Sequence, residues 1–388
     1  MKVRKMLQLI TVLVLSTLLL DACSFSVQVL STPTPAPPTA TFTSLPPTAT
    51  QTPVVPTEIL PSVTPTLISI RADTLYMLEI FKSFQFEDVV HTLAFTPDGT
   101  ILAAAGGNTE GFEIHLWDVA SGRDIGILNG HSDIVWSLAF SPDGQLLVSA
   151  SSDGTAKVRD WRNGDILKIL DFPGEVTSTS FSPDGRSLAV GGVDETVNQI
   201  RNASVWTFAV DSWEPLVKFP EYWNIAALAY SPDGSRLVGG GTSRNIQVWR
   251  TSDGTSLFTL NHAHQVGKVA ISPDGSIVAT TTCLTVVNTE CIEGGVWLWD
   301  LSTGKLLRKL GNFADIVGDV AFSADGSTLI AASRNGTLRF YNTTDYQTLF
   351  DFTAPGRVSA LALSPDGGLL ATGDFNGEVH LWKIVYRP

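Results

Sequence analysis

Between residues 72 and 388 apolar positions fall in short runs broken by Gly, Pro, Asp, Asn and Ser, and nowhere sustain the spacing of an amphipathic helix. One run recurs with its turn attached: Leu93-Ala-Phe-Thr-Pro-Asp-Gly99, Leu138-Ala-Phe-Ser-Pro-Asp-Gly144 and Thr179-Ser-Phe-Ser-Pro-Asp-Gly185. It returns as Leu228-Ala-Tyr-Ser-Pro-Asp-Gly234, Val269-Ala-Ile-Ser-Pro-Asp-Gly275, Val320-Ala-Phe-Ser-Ala-Asp-Gly326 and Leu361-Ala-Leu-Ser-Pro-Asp-Gly367. These seven copies stand 45, 41, 49, 41, 51 and 41 residues apart, and self-similarity at such a period predicts a repeat architecture.

Each copy predicts four short strands. An alternating strand runs into the Pro-Asp-Gly turn, where Pro presets φ and Gly supplies a positive one. A second strand rich in small residues follows, such as Leu188-Ala-Val-Gly-Gly192. Then comes a hairpin turn (Asp153-Gly154, Asn335-Gly336), a third strand ending on an aromatic residue, and a fourth leading back, as in Leu306-Leu-Arg-Lys-Leu310. The seventh copy stops after its third strand, Glu378 to Ile384, while a spare strand, Leu75 to Phe81, precedes the first copy. Pairing the two would close a ring without an exposed sheet edge.

The repeats resemble those of the WD40 family, and the resemblance covers residues 72–388. The Trp-Asp ending of the third strand is literal at Trp117-Asp118 and Trp299-Asp300, partial at Trp249-Arg250 and Trp382-Lys383, and replaced at Tyr341-Asn342 and Phe208-Ala209. In the second repeat the Trp position falls on Arg159, with Trp161 displaced by two. The Gly-His that opens many repeats survives at Gly130-His131, with Asn261-His262 a weaker relative, so the family's Asp-His-Ser-Trp relay is expected to be incomplete throughout. The resemblance implies an all-β, seven-bladed WD40-type β-propeller of 317 residues, about 45 per blade, whose N-terminal strand closes the last blade.

The first 71 residues are a different polymer. Three cations (Lys2, Arg4, Lys5) precede an apolar run, Leu7 to Leu20, too short to span a bilayer comfortably, and this predicts a secretory signal. Leu20-Asp21-Ala22-Cys23 resembles the bacterial lipobox, though Asp21 departs from the usual residue there. The resemblance implies cleavage after residue 22 and acylation of Cys23, with a plain signal or an uncleaved anchor as alternatives. Ser31 to Thr66 holds ten prolines and eleven threonines with Glu58 its only charge, a composition that favours an extended, semi-rigid stalk. The domains expected are therefore a signal (1–22), a lipidated N-terminus and Pro/Thr-rich disordered linker (23–71) and the propeller (72–388). The corresponding location is the extracytoplasmic face of the cell membrane.

With 25 Lys and Arg against 38 Asp and Glu, the net charge of −13 argues against nucleic-acid partners, which are held mainly by cations. Cys283 and Cys291 lie eight apart in an insertion, and in an exported protein this favours a local disulfide, free thiols being the alternative; no nearby histidine completes a metal set. The six histidines are scattered singly and read as surface loop residues. No nucleophile elbow, Walker loop, His-Glu-x-x-His or dinucleotide fingerprint occurs, so neither a cofactor nor an enzyme activity is expected.

Aligning the first strands puts His91, Trp136, Thr177, Ala226, Gly267, Gly318 and Ser359 at one position. The family resemblance implies that the loops just before this strand, with those between second and third strands, form the partner-binding face. Trp136, His91, Tyr222 and Trp223 are accordingly the candidate binding residues, packing between blades being the other reading of these aromatics. The function expected is a noncatalytic, monomeric cell-surface scaffold for a protein or peptide ligand, anchored to the membrane by lipid. The alternatives are a carbohydrate- or envelope-binding module and an enzyme with its site in the propeller channel.

Overall fold

The computed structural model describes residues 75–86, 88–108, 111–197, 200–220, 225–241, 244–287 and 290–387. The described residues all lie within the compact unit Val63–Pro388. Cys23, the Pro/Thr segment, Tyr222 and Trp223 lie outside the described residues.

Those residues form seven four-stranded antiparallel sheets, which are the blades of a propeller. Blades 1 to 7 span residues 90–128, 135–171, 176–220, 225–261, 266–313, 317–353 and 358–387, and within each the strands pair in sequence order from the inside outward. The inner strands pack side by side in chain order, and the last (Val358–Leu363) returns against the first (Val90–Phe95), so the ring is closed. Blade 7 receives its outer strand from the other end of the propeller: Leu75–Gln85 pairs with Glu378–Arg387, from Leu75 opposite Arg387 to Gln85 opposite Glu378. This closing strand is longer than the apolar run alone suggested. A register shift between Ile80 and Lys82 leaves Phe81 turned outward, 43% exposed, while Leu78 and Phe84 on either side remain buried.

Seven buried apolar clusters hold the blades, one at each blade–blade interface. Between blades 7 and 1, for example, Phe84, Phe86, Val90, Leu102, Trp117 and Val379 share one core. The small residues of the second strands let neighbouring sheets approach: a Cβ on Gly373 would sit 2.4 Å from Val90 Cγ1, so at this ring-closing contact only glycine fits.

The seven Pro-Asp-Gly or Ala-Asp-Gly turns are one structure repeated. Their glycines hold φ between 69° and 74°, the left-handed region that glycine enters without penalty. Each preceding Ser or Thr hydroxyl donates to the turn aspartate at 2.5–2.6 Å, and the aspartate also accepts the N–H two residues onward. The carboxylates are spent on the turns themselves.

Register also identifies the degenerate repeat endings. Trp117, Arg159, Phe208, Trp249, Trp299, Tyr341 and Trp382 all pair with a second-strand Leu or Val (Leu102, Leu147, Leu188, Leu237, Val278, Leu329, Leu370). Arg159 thus stands in a tryptophan's place, 2% exposed, with its guanidinium donating to Asn129 O at 2.8 Å. The displaced Trp161 packs edge-on against Phe140 and donates to Gly144 O.

Candidate functional site at the channel mouth

Every inner strand slips register at one place, always just after a buried Val or Ile. The slips fall between Val90 and Thr92, Val135 and Ser137, Val176 and Ser178, and Ile225 and Ala227. They recur between Val266 and Val269, Val317 and Asp319, and Val358 and Ala360. A β-bulge of this kind leaves a residue out of the ladder and re-aims its side chain. The residues left out are His91, Trp136, Thr177, Ala226, Gly267 with Lys268, Gly318 and Ser359, and all of them line one cavity of about 350 Å³, where the inner strands begin. Glu175, Arg334 and Phe375 complete its wall.

The bulges are pinned from blade to blade. Thr177 and Ser359 donate their hydroxyls to Ile225 O and Val90 O at the start of the next inner strand, the second of these bonds crossing the ring closure. The residue after the bulge does the reciprocal job: Thr92 Oγ1, Ser137 Oγ and Asp319 Oδ2 accept the N–H of Leu138, Thr179 and Leu361 at 3.2, 3.1 and 2.9 Å. The mouth is therefore preorganised by hydrogen bonds that also hold the blades.

Two candidate binding residues meet here. The His91 and Trp136 rings lie 4.5 Å apart, and Trp136 donates its indole N–H to Ser152 Oγ at 2.7 Å, leaving one face of the ring toward the cavity. Trp136 is half-buried: it packs on the neighbouring blade's histidine and still lines the mouth. Burial lowers the His91 pKa, and the nearby Lys268 and Arg334 charges reinforce this against the Gly107 backbone and Asp88, so His91 is neutral at neutral pH. On the same wall, the Phe375 ring carries the Arg334 and Arg357 guanidinium groups at 5.4 and 5.0 Å from its centre.

A second groove of about 580 Å³ adjoins the mouth, sharing Gly267 and Arg334 with it. Its outer wall is a hairpin, Ile277–Val287 and Glu290–Asp300, extended beyond the neighbouring sheets and crossed by a disulfide between Cys283 and Cys291, whose Cα atoms are 5.8 Å apart. Arg244 and His264 line the same groove.

Sequence reasoning misplaced several histidines. His115, His262 and His380 are not surface residues but 6–8% exposed, because each ring packs against a tryptophan of the third strand, His262 face-on, His115 tilted and His380 edge-on. In blade 2 His131 joins Asp153 Oδ2 at 2.8 Å and Ser149 Oγ at 2.7 Å, an order that also describes a hydrolase triad. Ser149 is fully buried, so no substrate carbonyl can reach its hydroxyl, and the three residues instead tie a loop to the second strand and its turn. Asp153 also accepts from Lys157 at 3.1 Å, from the Thr155 N–H and hydroxyl and from the Ser132 N–H. Burial pushes His131 down to about 4, despite the bond to Asp153. In blade 5 the relay is more complete than expected: Trp299 donates to Thr280 Oγ1 at 3.1 Å, and that hydroxyl lies 3.2 Å from His262 Nε2.

Lys268, Glu175, Arg334 and Phe375 were not singled out from the sequence. Arg334, Phe375 and Ser152 each directly follow a second strand (Thr328–Ser333, Leu369–Asp374, Leu146–Ser151), which is the signal that would have found them. Among the described residues no group of three or more His, Cys, Asp or Glu side chains is arranged to hold a metal ion.

Five segments match the family model "WD domain, G-beta repeat": residues 122–160, 164–199, 213–250, 304–342 and 346–383. The chain is 29% identical over 278 residues to anaphase-promoting complex subunit cdc20 of Dictyostelium discoideum, covering 70% of this chain and 52% of that one. It is 27% identical to the B-type cell cycle switch protein ccs52B of Medicago truncatula, over 66% of this chain and 50% of that one. Autophagy-related protein 16 of Arabidopsis thaliana is 24% identical over 50% of this chain and 48% of its own. The chain thus spans about half the length of these relatives.

Proposed function

We propose that this chain, whose seven-bladed propeller is built from WD40 repeats, is a noncatalytic scaffold that binds protein or peptide partners at the bulge-lined mouth of its channel. We propose further that it does so outside the cell membrane, held there by an acylated Cys23 and the Pro/Thr-rich stalk. The binding reading is carried by one observation: seven equivalent bulges face a single cavity, and Trp136 offers there the kind of aromatic surface that anchors interfaces. The relatives add support, since one is named as a subunit of a complex. The residues that resemble catalytic groups are occupied structurally, the turn aspartates by their own hairpins and Ser149 by burial. The location rests on the basic, apolar and cysteine-containing order of residues 1–23.

One set of cells tests both halves. Wild type, Trp136→Ala and Cys23→Ser are expressed with an affinity tag in the native host, fractionated, and captured from detergent-solubilised membranes or from the soluble fraction. Trp136→Ala should remain in the membrane fraction and lose the proteins captured with wild type; Cys23→Ser should leave the membrane fraction. Identical captured sets for wild type and Trp136→Ala contradict binding at the mouth, and unchanged fractionation of Cys23→Ser contradicts the anchor.

A further inference from the structure

The chain carries a net charge of −13, yet the wall of the mouth sets two cations, Lys268 and Arg334, against one carboxylate, Glu175. Lys268 and Arg334 line the cavity, Arg334 and Arg244 line the adjoining groove, and Arg357 lies on Phe375, which lines the cavity from blade 7. None of the four has a carboxylate within 4 Å among the described residues; Asp319, buried beside the bulge of blade 6, is the carboxyl that feels the Lys268 charge. The one carboxylate on either cavity wall is Glu175, which belongs to blade 3's approach, while Lys268 and Arg334 belong to blades 5 and 6. The seven turn aspartates lie at the other end of the inner strands. Positive charge thus exceeds negative on the wall of this cavity, at the end of the inner strands away from the turn aspartates.

From this charge complementarity we infer that the partner presents an extended acidic peptide segment. Its Asp or Glu side chains meet Lys268 and Arg334 at the mouth, and it continues outward along the groove beside the disulfide-joined hairpin. The inference rests on the function proposed above and specifies the ligand of that site. Carboxylates suit this place because an arginine on an aromatic face keeps its fork of N–H donors free for bidentate contact. An apolar side chain of the same peptide would pack against the hairpin wall, where Val286 lines the groove and Val287 and Ile292 stand exposed nearby. An extended segment would run from mouth to groove past Gly267, which lines both and carries no side chain.

A phage-displayed library of random dodecapeptides, panned on the full chain at low salt, tests this. Clones are sorted by whether they still bind Trp136→Ala. Among the Trp136-dependent clones, Asp and Glu should be enriched over the unselected library. Synthetic peptides from them should bind Lys268→Gln and Arg334→Gln each about tenfold more weakly than wild type, a loss typical of one removed charge-assisted contact. The double reversal Lys268→Glu/Arg334→Glu should select Lys- and Arg-rich sequences instead, and thermal melting should show each variant folded, because both side chains lie at the surface of the cavity. Trp136-dependent peptides without acidic enrichment, or with affinities unchanged in Arg334→Gln, overturn the acidic ligand and leave the mouth as the binding site. Binding of heparin with the same Lys268 and Arg334 dependence, and of no peptide, overturns it in favour of an anionic polysaccharide. A library with no Trp136-dependent clone contradicts the proposed function, and this inference falls with it.

Discussion

His131 and His262 occupy the same station in blades 2 and 5, each with a ring nitrogen on the hydroxyl of a second-strand Ser or Thr, eighteen residues onward. Burial pushes both down to about 4, His262 with the added repulsion of Lys309. In the unfolded chain a histidine takes up its proton near pH 6.5, so below that pH protonation favours unfolding. Their contribution is fully present above about pH 6.5 and is lost as pH falls toward 4, at most on the order of 3 kcal/mol per ring. The turn aspartates act in a lower window. Asp143, Asp184, Asp233 and Asp274 are held below the usual carboxylate range by serine hydroxyls and backbone N–H donors, Asp233 at about 2. Their share persists to about pH 4 and fades only below it. The melting temperature of wild type should therefore fall between pH 6.5 and 4, and that of His131→Gln/His262→Gln should start lower at pH 7 and fall less over the same range. Equal slopes for the two proteins would show that these rings do not govern the acid response.

The strands were legible because each repeat pairs a turn of fixed chemistry with runs that alternate on either side of it. Even the poorest repeat ending, Phe208, falls in the same register as the tryptophans. The bulges were not read, although their mark is present: Val90 and Leu93, Val135 and Leu138, and Val358 and Leu361 face the same cores three positions apart, where an unbroken strand would place them two or four apart. Reading those strands as simple alternation found the equivalent positions but not why they all point into one cavity. The buried histidines escaped for another reason, since a lone imidazole in sequence does not reveal the tryptophan that covers it. The closing strand was legible from an excess at one end and a deficit at the other, and it carries a consequence for stability. Leu78 is 5% exposed and packs with Leu338, Phe340 and Trp382. Leu78→Ala should cost about 2–5 kcal/mol, the range for emptying a buried leucine site. The exposed neighbour Ile80→Ala should cost well under 1 kcal/mol. Both are read by urea unfolding followed by tryptophan fluorescence; equal effects would mean that this strand does not close blade 7 as a core element.

At the scale of the molecule the propeller is a ring with unlike ends, one bearing seven aspartates bound into turns and the other a preorganised mouth with cations and aromatic rings on its wall. The chain is acidic as a whole, while the wall of the mouth carries Lys268 and Arg334 against Glu175. The rim offers a rival surface, because the outer strands of blades 7, 1 and 2 expose Phe81, Ile127 and Leu167. The measurement that separates the two is site-specific photo-crosslinking in the native host, with p-benzoylphenylalanine placed at position 136 in one strain and at position 167 in another. Binding at the mouth requires a discrete crosslinked polypeptide from position 136 and none from 167. Adducts from 167 with none from 136 would contradict it and move the interface to the outer strands.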